Sequence, residues 1–279
     1  MTASQTLPLS GVDLFCRVID HYGDAGTAWR LARELRGVLG EECSIRLITD
    51  AQEPVVALAG GIVPGRVEIL PWTDPFTQSG EAAPLIVELF GCDVPACCTD
   101  HGGGEKRLII NLEYFSCEEW AIDFHLRESL LGHPDIRKFF FMPGLDPESG
   151  GIMSFSRPQL GGEECIAART QWLESRFLHP DLAAMNWLPV YAYRGEWSGL
   201  LECLSGEDQN WLVWALGDSV QSGMRCAGSG WALRDFGAGC MGAVRGNCTL
   251  LYPSFMPQCD FDFLLAAADF SLVRGEDSL

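Results

Sequence analysis

Short apolar runs alternate with helical spacings along the first half of the chain. The run VDLFC, residues 12–16, predicts a buried strand, and the apolar spacing that follows predicts a helix over 27–38. PLIVELF, residues 84–90, fits either a strand or a helix. Further strands are predicted at 44–49, 67–70, 107–114 and 138–144. Strands separated by helices favour a parallel sheet covered on both faces.

A second alternation of this kind begins near residue 187. The segment before it, from about Glu163 to Leu188, predicts a helix that leads to a connection at His179-Pro180. The predicted elements of the second alternation are strands at 188–193 and 210–216, and a strand, loop, helix and strand within 248–279. We therefore expect an α/β chain with two domains, 1–186 and 187–279.

The last ten residues, FSLVRGEDSL, predict a strand that leads into a turn. Glu276, Asp277 and Ser278 suit the cap and first turn of a helix. A doubly wound domain continues with that helix and at least one more strand and helix. The second domain is therefore expected to be incomplete in this chain.

Composition and charge narrow the class of protein. The 279 residues carry 38 acids and 19 bases, a net charge of −19 that would repel a phosphate backbone and disfavours nucleic-acid binding. The sequence contains no run of about 18 apolar residues, so a membrane-spanning helix is not predicted. The N-terminus, MTASQTLPLSG, lacks the basic flank and apolar core of a secretory signal, so a cytoplasmic location is expected.

Twelve cysteines raise the question of a metal site or of disulfides. The densest group, Cys92, Cys97 and Cys98, lacks paired CxxC elements and a histidine at zinc-finger spacing. Disulfides are not expected in a chain without an export signal. Buried, chemically inert thiols are the favoured interpretation, and no metal is expected.

The turn after the first predicted strand carries two acids, Asp20 and Asp24, beside Gly23 and Gly26. A dinucleotide-binding turn would have the pattern GxGxxG, and two carboxylates would repel phosphate. The turn therefore suits a cationic or hydroxyl-rich ligand. In the alternative interpretation Asp24 caps the helix and Asp20 is a solvated acid, and the residues alone favour this alternative.

A second candidate cluster lies in the last thirty residues of the chain. Phe255 and Phe261 flank Gln258, a set that could stack a base and bind its edge. Arg274, with Ser278 and the amides around Asp277, could hold a phosphate, while Glu276 would face a sugar or cap the helix. In the alternative interpretation the aromatic residues are core and the acids are caps.

The two clusters together resemble one family. VIDHYGDAG, residues 18–26, and PSFMPQCDFDFLL with the later VRGEDS are similar to motifs of the bacterial protein-arginine rhamnosyltransferases that modify elongation factor P, the EarP family. Supporting similarity occurs in PLIVELFGCDVP, LIINLEYFSCEEW and FFFMPGLDPESGGIM, so the resemblance covers most of the chain.

The resemblance implies a GT-B-like enzyme with two facing Rossmann-like domains. The N-terminal domain would receive elongation factor P, and the C-terminal domain would bind dTDP-β-L-rhamnose. Rhamnose would be transferred with inversion to an arginine by an enzyme that needs no metal or other cofactor, and a monomer is the family-like default. The charge and the apolar pattern given above predict no nucleic-acid or membrane partner.

The resemblance also assigns roles to individual residues. Asp20 and Asp24 match the family's essential N-terminal acids, and Glu276 and Asp277 match acids of its C-terminal motif. As our hypothesis for these acids, Asp20 activates the acceptor, Asp24 is its orienting partner, and Glu276 acts near the sugar. The residues expected to bind the nucleotide sugar are Tyr193, Phe255, Gln258, Phe261, Arg274, Glu276, Asp277 and Ser278.

The sequence also raises two other functions. An elongation factor P-binding module with impaired catalysis would follow from the incomplete second domain. A nicotinamide-dependent oxidoreductase is disfavoured, because it requires GxGxxG where this chain has acids.

Overall fold

The computed structural model describes most of the chain. The described residues are 9–20, 22–61, 63–73, 82–99, 106–131, 133–153, 160, 162–192, 195–217, 219–227 and 230–273, without the side chains of Glu163 and Cys226. The chain forms two compact units that divide between residues 156 and 157.

The first unit contains a sheet of seven described strands. Its elements are β1 (Gly11–Cys16), α1 (Gly23–Leu39), β2 (Ser44–Thr49), α2 (Gln52–Ala59), β3 (Val67–Pro71), β4 (Leu85–Leu89), α3 (Ala96–Thr99), β5 (Arg107–Leu112), α4 (Glu119–Phe124), β6 (Glu128–Ser129) and β7 (Ile136–Phe141). The strand order is β3-β2-β1-β4-β5-β7-β6, and every pair is parallel except β6 with β7.

Strand β1 lies inside this sheet, and all six of its residues are buried. Burial on both faces explains why the strand is an almost continuous apolar run. Its one charged residue, Asp13, accepts two hydrogen bonds from the guanidinium of Arg46, at 2.6 and 2.7 Å, and one from the amide of Ala83 at 2.8 Å. These partners satisfy a carboxylate that would otherwise be costly to bury.

Two local predictions for this unit are sharpened by the structure. The stretch PLIVELF, residues 84–90, which fits either a strand or a helix by its pattern, contains strand β4. Helix α1 begins at Gly23, four residues before its predicted start, because the acidic turn continues directly into the first helical turn. Ala25, Ala28, Trp29 and Ala32 bury one face of α1 at helical spacing.

The second unit combines parallel strands with an antiparallel edge. Its elements are α5 (Gly162–Ser175), a 3₁₀ turn (Pro180–Ala184), β8 (Asn186–Tyr191), α6 (Ser198–Gly206), β9 (Trp211–Ala215), α7 (Ser219–Cys226), β10 (Ala232–Asp235), β11 (Met241–Arg245), β12 (Cys248–Tyr252), α8 (Gln258–Ala266) and β13 (Leu272–Val273). The order is β10-β11-β12-β9-β8-β13. Strands β12, β9, β8 and β13 are parallel, whereas β10, β11 and β12 pair antiparallel.

Helix α5 packs in the second unit, although the domain boundary expected at 186/187 placed it in the first. Trp172 of α5 contacts Trp187 and Trp214 edge to face, with ring centroids 6.0 and 5.8 Å apart. The apolar face of α5 therefore completes the core of the second sheet. The structure accordingly divides the chain about thirty residues earlier than expected.

A buried arginine reinforces this attachment of α5. The guanidinium of Arg169, 4% exposed, donates to the carbonyl oxygens of Ala267 and Met185 and to the carboxylate of Asp269. The same Asp269 oxygen accepts the amide of Trp187 at 2.7 Å. One cation thus joins α5, the end of α8 and the start of β8.

The predicted α/β class with two parallel-sheet domains is confirmed. Among the described helices, none has the length and apolar character required to cross a membrane.

Replacing Arg169 with Met should destabilise the second unit by about 3 kcal/mol, because it leaves buried carbonyl oxygens and Asp269 without their donor. Denaturant unfolding followed by tryptophan fluorescence measures the change, since Trp172, Trp187 and Trp214 all lie in this core. The control is Arg137→Met, which removes an exposed ion pair with Glu128. Equal shifts of the unfolding midpoint in the two variants would contradict the structural role of Arg169.

Candidate active site

The first sheet reverses its winding direction between β1 and β4. From β1 the sheet extends through β2 to β3, and from β4 it extends through β5 in the opposite direction. Ligands of open α/β sheets bind outside the carboxyl ends of strands at such a switch point. Asp20 and Asp24 follow β1 at this place, and Phe90 follows β4.

Asp24 is buried, and its carboxylate accepts three hydrogen bonds from residues that the structure describes. The amides of Ile19 and Asp20 donate to Oδ2 at 2.7 and 2.9 Å, and the hydroxyl of Tyr114 donates to Oδ1 at 2.9 Å. The side chain therefore reaches back from the first turn of α1 to the loop before it. Asp24 holds the shape of the acidic turn.

Asp20 lies in the loop that Asp24 holds, and it is half-buried. Its carbonyl oxygen accepts the amide of Gly23 at 2.7 Å, which closes the turn into α1. Helix α1 has Tyr22 at its N-cap and no hydrogen bond from a capping side chain. The interpretation of Asp24 as an ordinary helix cap is therefore wrong.

An aromatic pair lies beside this turn. Tyr114, two residues after β5, stacks on Phe90, with ring centroids 4.0 Å apart and ring planes at 5°. Phe90 has a backbone φ of +57°, in the left-handed region that bulky residues rarely adopt. Strained residues of this kind concentrate at functional sites, where the surroundings hold them.

Two polar networks support the loop after β4. The carboxylate of Glu88, 1% exposed, accepts the ammonium of Lys138 at 2.6 Å and the amide of Asp93 at 3.1 Å. The amide of Gly91 donates to Asn111, whose side-chain NH₂ donates to Glu113 at 2.8 Å. The loop that carries Phe90 is thus tied to β5 and β7.

The cysteines near this site are structural. The Cys16 thiol, at the end of β1, is fully buried, and burial together with the charge of Asp24 raises its pKa far above the ordinary value. Burial raises the pKa of Cys92 to about 12. Both thiols therefore stay protonated at neutral pH and are poor nucleophiles. Within the described part of the chain, no three His, Cys, Asp or Glu side chains are grouped as metal ligands.

The second sheet has its own switch point, between β8 and β13. These strands are parallel neighbours, with Val273 opposite Tyr191 at their carboxyl ends. Five predicted donor-binding residues come directly after these ends in the chain and lie outside the described residues; they are Tyr193, Arg274, Glu276, Asp277 and Ser278.

The described start of the loop after β8 is anchored by helix α7. The hydroxyl of Ser219 accepts the amide of Ala192 at 2.8 Å and donates to its carbonyl oxygen at 2.9 Å. The hydroxyl of Ser222 accepts the amide of Gly195 at 3.0 Å. Both serines are completely buried, so Ala192 and Gly195, which flank positions 193 and 194 in the chain, are held in place.

The three described members of the predicted nucleotide group follow β12. Phe255 is half-exposed, whereas Gln258 is buried at the start of α8 and donates to the carboxylate of Asp262 at 2.9 Å. Phe261 contacts Tyr191 edge to face at 5.3 Å. All three therefore lie at the carboxyl edge of the second sheet, and their contact with a nucleotide stays a prediction.

A cavity of about 220 Å³ opens at the opposite edge of the second sheet. Its lining includes Met185, Asn210 and Asn247, which precede β8, β9 and β12. Because ligands of parallel sheets bind at carboxyl ends, this cavity is separate from the predicted donor site.

Comparison with known proteins identifies the family. The sequence profile described as Elongation-Factor P (EF-P) rhamnosyltransferase EarP matches residues 12–279. The chain belongs to this family.

Curated members of the EarP family carry the name protein-arginine rhamnosyltransferase. The protein of Neisseria meningitidis serogroup B is 30% identical over 278 residues, a match that covers 95% of this chain and 69% of that protein. The protein of Pseudomonas putida is 31% identical over 288 residues, a match that covers 95% of this chain and 72% of that protein. The solved structure of E. coli heptosyltransferase WaaC with ADP covers 94% of this chain and 80% of its own, at 12% identity. The TM-score of this match is 0.45.

The sequence predicts the acidic turn of this chain but not the residues that hold that turn in place. Tyr114, Phe90 and Asn111 were not among the predicted site residues. Tyr114 lies in LIINLEYFSCEEW, a stretch that supports the resemblance to the EarP family but contains no predicted site residue. The signal that could have found it is its position directly after β5, next to the switch point.

The buried thiols should resist alkylation in the native protein. At pH 8, iodoacetamide should label Cys117, Cys203 and Cys259, which are exposed, and leave Cys16 and Cys92 unlabelled until the chain is unfolded. The reason is that a raised pKa keeps a thiol in its unreactive protonated form, and burial blocks access. Peptide mass spectrometry with and without guanidinium measures this. Native labelling of Cys16 as fast as that of Cys117 would contradict the assignment.

Proposed function

We propose that this chain transfers L-rhamnose, with inversion, from dTDP-β-L-rhamnose to an arginine of elongation factor P. Family membership carries this proposal. The acidic turn at the switch point of the first sheet supports it, because paired acids suit a guanidinium and repel a phosphate. Since the acceptor is a translation factor, the reaction takes place in the cytoplasm.

The reaction exchanges one bond at the anomeric carbon of rhamnose. A guanidine nitrogen of the acceptor attacks this carbon, and the bond from the carbon to the diphosphate oxygen breaks with its electron pair leaving on dTDP. The nitrogen loses one proton, which Asp20 accepts. A base is required because a free arginine is protonated, with a pKa above about 12.

Asp20 and Asp24 have different roles in this scheme. Proton transfer by Asp24 would compete with its three hydrogen bonds, so Asp24 orients the turn and leaves proton transfer to Asp20. Glu276 acts near the sugar, where a carboxylate stabilises the positive charge that develops at the anomeric carbon.

The second unit binds the donor in this proposal. The thymine and its sugar are bound by Phe255, Gln258, Phe261 and Tyr193. The diphosphate is bound by Arg274, Asp277 and Ser278. The reaction needs no metal ion or other cofactor in this scheme, and the enzyme acts as a monomer. The family match supports this enzyme over a binding module that has lost catalysis.

Replacing Asp20 with Asn should reduce rhamnose transfer at least roughly 100-fold, the contribution typical of a positioned base. Affinity for dTDP should be unchanged, because the predicted nucleotide residues all belong to the second unit. Transfer is measured as the added mass of one deoxyhexose on elongation factor P, and affinity by calorimetric titration with dTDP.

The control is Asp123→Asn in α4, which neutralises an acid whose side chain is 77% exposed. It should transfer rhamnose at the unchanged rate. Full activity of the Asp20 variant would contradict the assignment of the base. A chain that binds elongation factor P but neither binds dTDP nor transfers sugar would overturn the enzyme proposal in favour of the binding module.

A further inference from the structure

Tyr114 connects β5 to the acidic turn after β1. Its hydroxyl donates to Oδ1 of Asp24 at 2.9 Å, across 90 residues of sequence. Among the described contacts of the Asp24 carboxylate, this is the one that comes from outside the turn itself. Tyr114 is therefore placed to determine the rotation of the Asp24 side chain.

The ring of Tyr114 is itself held in place. It lies flat against Phe90, whose amide donates to the carbonyl oxygen of Leu112 at 2.7 Å. The next amide, that of Gly91, donates to the buried side chain of Asn111 at 3.2 Å. Hydrogen bonds on consecutive residues keep Phe90 in its left-handed conformation and so fix the surface on which Tyr114 stacks.

The position of the hydroxyl is passed on to Asp20 through Asp24. While Oδ1 of Asp24 accepts the hydroxyl, Oδ2 accepts the amides of Ile19 and Asp20 at 2.7 and 2.9 Å. A change in the rotation of this carboxylate would displace the backbone from which the Asp20 side chain projects. In catalysis, a displacement of about 1 Å can cost roughly 100-fold in rate.

We propose that Tyr114 is a positioning residue for sugar transfer, which sets the direction of Asp20 through its hydrogen bond to Asp24. The inference rests on the proposed function of Asp20 as the base. Tyr114 itself exchanges no proton and forms no bond to the sugar. The part that matters is its hydroxyl group, since the ring alone would keep the stack on Phe90.

The first test is Tyr114→Phe, which keeps the aromatic stack and removes only the hydroxyl. The kcat of rhamnose transfer should fall roughly tenfold, the usual worth of a hydrogen bond to a charged group. The KM for elongation factor P should stay within roughly twofold, and dTDP affinity should be unchanged. A general loss of folded protein would instead lower the apparent amount of active enzyme and of dTDP-binding sites together.

The matched control is Thr170→Val, which removes a hydroxyl that donates to the carbonyl oxygen of Ile166 within α5. Its kcat should equal that of the unchanged chain. A wild-type kcat in Tyr114→Phe would overturn the proposal.

The second test is a double-mutant cycle with Asp24→Asn. If Tyr114 acts through Asp24, adding Tyr114→Phe to Asp24→Asn should lower kcat by less than roughly twofold further, because the shared interaction is already perturbed. Fold-changes that multiply would show that Tyr114 acts by another route and would overturn the proposal.

A third test does not require activity. Hydrogen exchange of the amides of Ile19 and Asp20 should be roughly tenfold faster in Tyr114→Phe and unchanged in Thr170→Val. If the unchanged chain transfers no sugar, the proposed function fails, and exchange still decides whether Tyr114 holds the turn. Unchanged exchange in Tyr114→Phe would overturn the positioning role in either case.

Discussion

The carboxylate of Asp24 is the interaction on which the candidate site depends. It joins the loop after β1, the first turn of α1 and the segment after β5 through three hydrogen bonds. Two of these bonds come from the consecutive amides of Ile19 and Asp20. The site is therefore built around an internal anion, and the conformation of Asp20 follows from that anion.

This arrangement differs from that of a Rossmann-like unit that binds phosphate. In dinucleotide-binding sheets, the amides after the first strand and the positive end of the following helix attract a pyrophosphate. Here the Asp24 carboxylate lies in the first turn of α1 and accepts the amides of the preceding loop. The protein's own carboxylate thus occupies the place of the anionic ligand, and a second acid, Asp20, adds negative charge beside it.

Sequence patterns predicted most of the framework. Apolar runs located β1, β2, β3 and β5. The run is nearly continuous in β1, because a strand buried on both faces admits few polar residues. Apolar runs did not locate the antiparallel strands β10 and β11. Strand β10 is a short edge strand with all four residues exposed, and the buried residues of β11 are Gly242 and Ala243, which give little apolar signal. The attachment of α5 was also missed, since it depends on Arg169 and on partners about 100 residues away.

The site shows the same limit in physical terms. The resemblance of the turn and of the C-terminal cluster to EarP motifs identified Asp20 and Asp24, whereas residue types and spacing alone favoured a helix cap and a solvated acid. Their division of roles depends on Tyr114, which is distant in sequence and becomes a neighbour only when β4 and β5 pair beside β1. The strand order, which brings β5 near the switch point, therefore gives Asp24 a partner distant in sequence and supports the proposed division between a structural acid and a base. A local motif can specify the chemistry of such a site, but the sheet topology decides which acid performs it.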